Sequence, residues 1–298
     1  MQTLIQKFLT GLGFLGLLLL GFQGVASAAD GDTCTAITSV PFTISLPGAY
    51  CVTKELSTAS TFTSGAAITV NSNDVTIDLG GHTLSNLAAG KGTQAVGIQD
   101  EVTSGVARQN ITVRNGTVRG FYEGVVLTGA TGMFTDSSGH LVENVRADFN
   151  RHIGIQLFGA GSVARQNQVL HTGGSTSVAG FAAGLWIAGD GAQALDNTVV
   201  DTVRSGGIQD GVGINVDANN GFTGVVIEGN RVSNVALENN SVAIIVGTGA
   251  NYTLVVNNRI ANFESGILFA TNASKYRDNL AVNTTILYVG GADEGNNK

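Results

Sequence analysis

One short pattern recurs along this chain and leaves little freedom in how it folds: a small residue followed by apolar-x-apolar. It stands at Ala67-Ile68, Gly97-Ile98, Gly124-Val125, Gly154-Ile155, Gly184-Leu185, Gly213-Ile214, Ala243-Ile244 and Gly266-Ile267, at spacings of 30, 27, 30, 30, 29, 30 and 23 residues. A second register follows from Gly97 on, with Asn115, Asn144, Asn167, Asn197, Asn230, Asn258 and Asn279 each just ahead of an apolar strand position. Period-two alternation reads as short strands, and the Asn, Asp and Gly between them read as corners. A repeat of 23–30 residues with two or three such strands predicts a β-solenoid, an all-β coil wound on an apolar axis. Successive coils would stack at about 4.8 Å, as neighbouring strands do. The repeat positions are Val, Ile and Gly rather than Leu, which argues against a leucine-rich repeat, and a propeller blade needs about 40 residues. The small residue is expected to allow a sharp corner. Asn stacked coil on coil is expected to bond the backbone groups that such a bend orphans.

Composition is consistent with that plan. Gly numbers 42 and Pro only 2, and charged residues are 12% against 43% hydrophobic, which fits neither disorder nor a helical protein. Residues 1–28 read as a secretory signal: Lys7 as the basic region, an apolar run over 9–22, and Ala26-Ser27-Ala28 as the cleavage site. That run falls short of the ~20 residues needed to span a bilayer. The mature chain is therefore expected to be secreted or periplasmic, with no stable membrane insertion after signal cleavage. Removing Lys7 takes the net charge from −7 to −8, which argues against nucleic acid and anionic membranes as general partners while leaving room for a locally basic groove. Cys34 and Cys51, the only two cysteines, lie 17 apart and in an exported chain are expected to pair. Closing that loop is worth roughly 3 kcal/mol on the loop-entropy account. The expected organisation is a disulfide-tied N-terminal cap over 29–65, about eight coils over 66–289, and a polar frayed tail over 290–298.

The run A-I-T-V-N-S-N-D-V-T-I-D-L-G-G-H-T-L at 67–84, with the Gly-Ile and Asn registers after it, resembles the right-handed parallel β-helix proteins of the pectate-lyase-like superfamily. The resemblance covers about 66–289 and implies a right-handed parallel β-helix. It implies a polysaccharide as partner but no single activity, because the superfamily holds lyases, hydrolases, uronate epimerases and adhesins. The chain has no adjacent aspartate pair, no Gly-His-Gly, no Trp-x-Asp-His and no Asp-Pro-His-Asp, the motifs of the polygalacturonase-like hydrolases, pectate lyases and alginate epimerases.

Two outward columns hold the candidate site residues. Beside the Gly-led strands Gln156, Trp186 and Asn215 form an uncharged strip suited to stacking on a sugar and bonding its hydroxyls, unless the insertion at 173–184 covers Trp186. Four residues past each repeated Asn come Arg119, Asp148, His171 and Asp201, with Arg151, His152 and Arg204 just beyond. Uronate lyases need a base for the proton α to the carboxylate and a cation to neutralise that carboxylate. Hydrolases need two carboxylates, and Asp148 and Asp201, two coils apart, would stand about 10 Å from each other. Asp78 and His82 flank a Gly-Gly turn, where Asp78 is expected to cap the bend. No cofactor or metal site is indicated: Asp190-Gly191 and the 217–221 loop lack the carboxylate density of a calcium loop, although Ca²⁺ is the ion a uronate lyase would call for. Two function classes follow, a polysaccharide lyase or glycoside hydrolase and a non-catalytic glycan- or surface-binding solenoid.

Overall fold

The structure is a computed structural model, and it describes residues 34–100, 106–129, 136–206, 211–216 and 221–298. The expected signal peptide and most of the 217–221 loop lie outside the described residues. Parallel strands wind through three faces of a right-handed β-helix. The first face stacks ten rungs: Phe42–Ile44, Ala66–Val70, Val96–Asp100, Glu123–Leu127, Ile153–Phe158, Ala182–Ala188, Gly211–Val216, the later halves of Arg231–Val246 and Arg259–Phe269, and Ile286–Val289. The second face runs from Thr35–Ile37 to Ala292–Asp293, and the third from Leu56–Ser57 to Leu280–Val282. The one helical element among the described residues is a 3₁₀ turn at Leu87–Ala89, and no helix there is long and apolar enough to cross a membrane.

Strand alternation builds the core. Ile68, Ile98, Val125, Ile155, Leu185, Ile214, Ile244 and Ile267 stand opposite one another rung by rung, and all are fully buried. The small residue before each has a different role from the corner expected of it. At Gly154 and Gly184 an added Cβ would lie 2.3 and 2.5 Å from Val169 Cγ1 and Val199 Cγ1, inward residues of the third face. These glycines let two faces close on each other, and neither sits at a positive φ.

The coil extends past its expected limits at both ends. Residues 29–65, expected as a cap, supply rungs to all three faces, because Ile37, Ile44, Val52 and Leu56 carry the same inward alternation and are buried. Cys34 and Cys51 form a disulfide there, with Cα atoms 5.7 Å apart. The tail over 290–298, expected to fray, pairs through Ala292–Asp293 with Lys275–Arg277.

The corner between the second and third faces carries the expected Asn ladder. Asn167, Asn197, Asn230, Asn258 and Asn279 each give their backbone N–H and their Nδ2 to the Oδ1 of the next, the last reaching Asn297 in the tail, at 2.9–3.1 Å throughout. Asn115 and Asn144 do not belong to it. They are the left-handed residue of the corner (φ +58° and +52°), the place held by Gln166, Asp196 and Asn257 in later coils. The ladder position in their coils falls to Gly116 and Val145, which stand opposite each other. Asp78 caps its bend as expected: Oδ1 accepts the Gly80 N–H at 2.8 Å, and Oδ2 faces Arg114 Nε at 2.9 Å.

Two buried groups between the first and second faces titrate in opposite senses. Desolvation pushes Asp100 up to about 6, although the Thr128 and Gly129 N–H groups bond it. Desolvation also pulls His140 down to about 4, where its Nδ1 accepts the Ile111 N–H and its Nε2 faces Ser137 Oγ at 2.7 Å.

Asn230→Ala is expected to cost about 2–6 kcal/mol, since it orphans two buried donors of Asn197 at about 1–3 each, and Asn115→Ala is expected to cost less. Urea unfolding of both variants checks the order. The pH dependence follows from the titrations. Below pH 6.5 the unfolded chain protonates His140 while the fold does not, so this group removes stability as pH falls to about 4. Above pH 3.8 the unfolded chain ionises Asp100 while the fold does not, so this group removes stability as pH rises to about 6. Each is worth about 3 kcal/mol, and between pH 4 and 6 they oppose each other. His140→Asn should leave the Asp100 slope uncovered, so its unfolding midpoint should fall from pH 4 to 6 more steeply than that of the unaltered protein.

Candidate functional site

The residues expected in one charged column lie on the third face, but staggered. Arg119 stands opposite Asp148, and Asp148 opposite Leu170. Leu170 pairs with Val200 and Thr172 with Thr202, so His171 is level with Asp201, one place further along the strand. The cause is the slip at the corner. Counting four from Asn115 and Asn144 starts one residue earlier than counting from Asn167 and Asn197. Phe149, His171 and Asp201 hold the place after Arg119 and Asp148, and all three are left-handed (φ +55°, +51° and +56°).

The stagger still brings the acid and the base together. The left-handed turn lets the His171 ring stack on Phe149, with centroids 4.6 Å apart and planes 10° apart, and reach back diagonally. His171 Nδ1 meets Asp148 Oδ1 at 2.9 Å. The other oxygen, Oδ2, accepts Arg146 Nε and Nη2 at 3.2 and 2.9 Å. Asp148 is therefore a buried carboxylate with both oxygens engaged, and its side chain is only 5% exposed. This network assigns the histidine proton to Nδ1, which leaves the lone pair on Nε2. Asp201 Oδ2 stands 3.8 Å from that Nε2, and its Oδ1 accepts the Val235 N–H at 2.6 Å. An imidazolium formed by protonation at Nε2 would have a carboxylate on each side.

A cleft of about 730 Å³ lies over this group. Leu87 of the 3₁₀ turn and Lys91 after it, Gly173 and Gly174, and the irregular stretch at 234–238 line it along with Arg119, Phe149, Arg151, His171 and Asp201. The Thr176 N–H bonds the Lys91 carbonyl at 3.1 Å and ties the first two of these segments together. The Nε atoms of Arg119 and Arg151 are buried and find no hydrogen-bond partner among the described residues. Burial pulls the Arg151 guanidinium below its usual range. Two arginines lining the same cleft as a histidine lone pair can place an anion next to an acidic C–H.

Other expected residues lie elsewhere. Arg204 is not part of the cleft lining. Gln156, Trp186 and Asn215 do align rung to rung, but on the first face. Trp186 packs edge-on against Phe158 and against Phe181 of the 173–184 insertion, at 5.7 and 5.4 Å, and its Nε1 is buried without a partner. The insertion thus walls the cleft at one end and shelters the tryptophan at the other. Among the described residues no group of three or more His, Cys, Asp and Glu is placed to hold a metal ion. Arg146 and Phe149 were not among the sequence candidates. Arg146 precedes Asp148 by two and so shares its side of the strand, a signal that period two offers. Nothing local marks Phe149 as left-handed.

No protein-family model matches the chain, and no curated protein matches its sequence. Among solved structures it is similar to the enzymatically active domain of tailspike protein 2 from bacteriophage CBA120, with a TM-score of 0.56 and 13% identity, over 90% of this chain and 42% of that one. The chain thus spans less than half the length of that tailspike. The A-module of the Azotobacter vinelandii mannuronan C-5 epimerase AlgE6 aligns at a TM-score of 0.46 and 15% identity, over 88% of this chain and 79% of that one. At these identities the likeness is one of fold.

Trp186→Ala is expected to destabilise by roughly 2–3 kcal/mol, below the range for a fully buried aromatic because the residue is only part-buried. Chemical unfolding reads the loss. A ring free to bind sugar would instead be removed at little cost.

Proposed function

We propose that this protein acts on an acidic polysaccharide lying in the third-face cleft, with His171 as the base that takes the proton α to a uronate carboxylate. The observation that carries this reading is the Arg146–Asp148–His171 chain, which leaves the Nε2 lone pair on a cleft that Arg119 and Arg151 also line. In the reading, the C–H proton passes to Nε2, and Asp148 and Asp201 stabilise the imidazolium. Arg119 and Arg151 neutralise the carboxylate as its charge builds up in the enolate. The electron pair then expels the oxygen at the β carbon, which leaves with a proton from solvent. The product is an unsaturated sugar.

A two-carboxylate hydrolase has less support. Asp148 would be one of its two acids, yet both oxygens are engaged and the side chain is all but buried. The non-catalytic reading through Gln156, Trp186 and Asn215 is weakened by the packing of Phe181 on the tryptophan. The Cys34–Cys51 disulfide and the leader expected at 1–28 support a secreted or periplasmic location.

Incubation with polygalacturonate, alginate and hyaluronan, followed at the absorbance of unsaturated uronates, tests the reaction. His171→Asn, chosen because Asn tolerates the left-handed backbone, is expected to lose about 10²–10⁴-fold in rate and to melt close to the unaltered protein. Arg119→Ala should raise KM and lower kcat together. Absence of signal with every glycan, or turnover that survives His171→Asn, rejects the proposal.

A further inference from the structure

The third face carries a second concentration of positive charge beyond the cleft. Arg231 and Arg259 stand opposite each other on neighbouring rungs, and both are exposed. Like charges set one rung apart repel, so a fold gains nothing from the pair unless something shared lies across it. Neither arginine forms an ion pair with a carboxylate among the described residues, although Glu228 and Asp278 line a hollow on the other side of Arg259. Arg259 Nη1 donates only to the carbonyls of Asn258 and Asp278, at 3.2 and 3.1 Å, and the Arg231 side chain makes no hydrogen bond or ion pair with a described residue. Arginines on other parts of the coil are paired: Arg114 with Asp78, Arg165 with Glu143 and Arg277 with Asp278, at 2.9, 2.6 and 3.1 Å.

The surroundings of the pair suit a sugar. A groove of about 360 Å³ runs beside it, floored by Ala261, Leu280 and Val282 and edged by Ser233. Leu280 and Val282 are exposed, which leaves aliphatic surface next to two guanidinium forks. Carbohydrate C–H faces pack on such a floor, and a sugar carboxylate meets the fork in charge-assisted bonds. The groove and the cleft are separate hollows on neighbouring parts of the coil, one edged by Ser233 and the other by Asn234. Arg231 lies two rungs and Arg259 three rungs beyond the His171 strand. At the usual rung spacing that is about 10 and 14 Å along the axis, and because the pair is level with Gln168, three places before His171, also about 10 Å across it, or roughly 14 and 17 Å in all. With Lys91, Arg119, Arg146 and Arg151, six of the chain's 15 Lys and Arg gather on the cleft and this face, although the chain's net charge is −7.

We propose that Arg231 and Arg259 form a distal subsite for the anionic group of an acidic sugar about three to four residues along from the one at His171. The ligand is then an extended polyanionic glycan that crosses the third face obliquely toward the C-terminal coils. This rests on the reading of the cleft given above.

Titration calorimetry with polygalacturonate, alginate and hyaluronan, and with a uronic disaccharide cut from each, tests the proposal on the full chain. The double variant Arg231→Gln/Arg259→Gln removes two exposed charges and should melt as the unaltered protein does. Its affinity for the tightest-binding polymer should fall at least tenfold, with a shallower dependence on salt. Its affinity for the disaccharide, too short to reach the pair, should change less than twofold. Polymer affinity unchanged in the double variant overturns the subsite, and if His171→Asn abolishes turnover in the same preparation the cleft reading stands without it. A tenfold loss of polymer binding while turnover ignores His171→Asn has the opposite meaning: the subsite holds and the cleft chemistry fails. Binding of none of the polymers by the unaltered protein overturns both.

Discussion

The interaction on which the rest of this molecule depends is the bond from each corner Asn to the next. A two-residue bend cannot satisfy its own backbone, and burying the bend would leave N–H groups without water. From Asn167 to Asn297, one side-chain oxygen takes both the backbone N–H and the Nδ2 of the Asn before it. The pairing admits a single register, because a shift of one residue would remove both bonds and turn every following side chain to the opposite face. Register at this corner decides which third-face residues point at solvent. His171 and Asp201 are level because Asn167 and Asn197 are. The placement of the candidate site is in that sense a consequence of amide chemistry several residues upstream.

Much of this was legible in the chain, for a physical reason. The inward column from Ile68 to Ile267 is visible because strands alternate with period two and each small residue marks the phase. Where the reading slipped, two different uses of asparagine look alike. Asn115 and Asn144 are present because Asn tolerates a left-handed backbone, whereas Asn167 is present because its amide bridges two coils. The distinguishing feature is the neighbour: a ladder Asn follows the left-handed residue, as in Gln166-Asn167, whereas the other kind is that residue and precedes Gly116 or Val145. The missed third-face partners follow from the same cause. Once Asp148 is moved one place, its contact with His171 becomes diagonal, and Arg146 becomes its neighbour on the strand. The ends were misjudged because capping was inferred from composition, while the alternation through Ile37, Ile44 and Val52 already continued the coil.

The stagger also accounts for why an acid can be buried on an outward face. A carboxylate taken from water without partners is costly, and one that receives three charge-assisted bonds is not. Asp148 receives two from Arg146 and one from His171. Had the four residues formed the straight column first expected, Asp148 and His171 would face each other squarely, and Arg119 would sit on the same line. With the offset Arg119 stays opposite Asp148 and lines the cleft, while His171 stands one place further along and meets Asp148 on the diagonal. A register slip of one residue therefore sets His171 level with Asp201 rather than with Asp148.

The same strands carry strain where the chemistry is proposed. Left-handed backbone at Phe149 and His171 costs roughly 1–2 kcal/mol per residue, more than Asn262 and Asn283 incur at the matching place in later coils. Those later coils could be built with Asn throughout, so geometry alone does not call for a phenylalanine and a histidine. Stacking of the two rings returns part of the cost, since such pairs contribute about 0.5–1.5 kcal/mol beyond the area they bury. Stacking also fixes the imidazole plane, so that Nδ1 meets Asp148 while Nε2 turns toward Asp201 and the cleft. Strain, ring stacking and the buried carboxylate form one arrangement, confined to the coils where the 173–184 insertion raises a wall. At the matching place in later coils the left-handed position returns to Asn262 and Asn283, residues that carry that backbone with less strain.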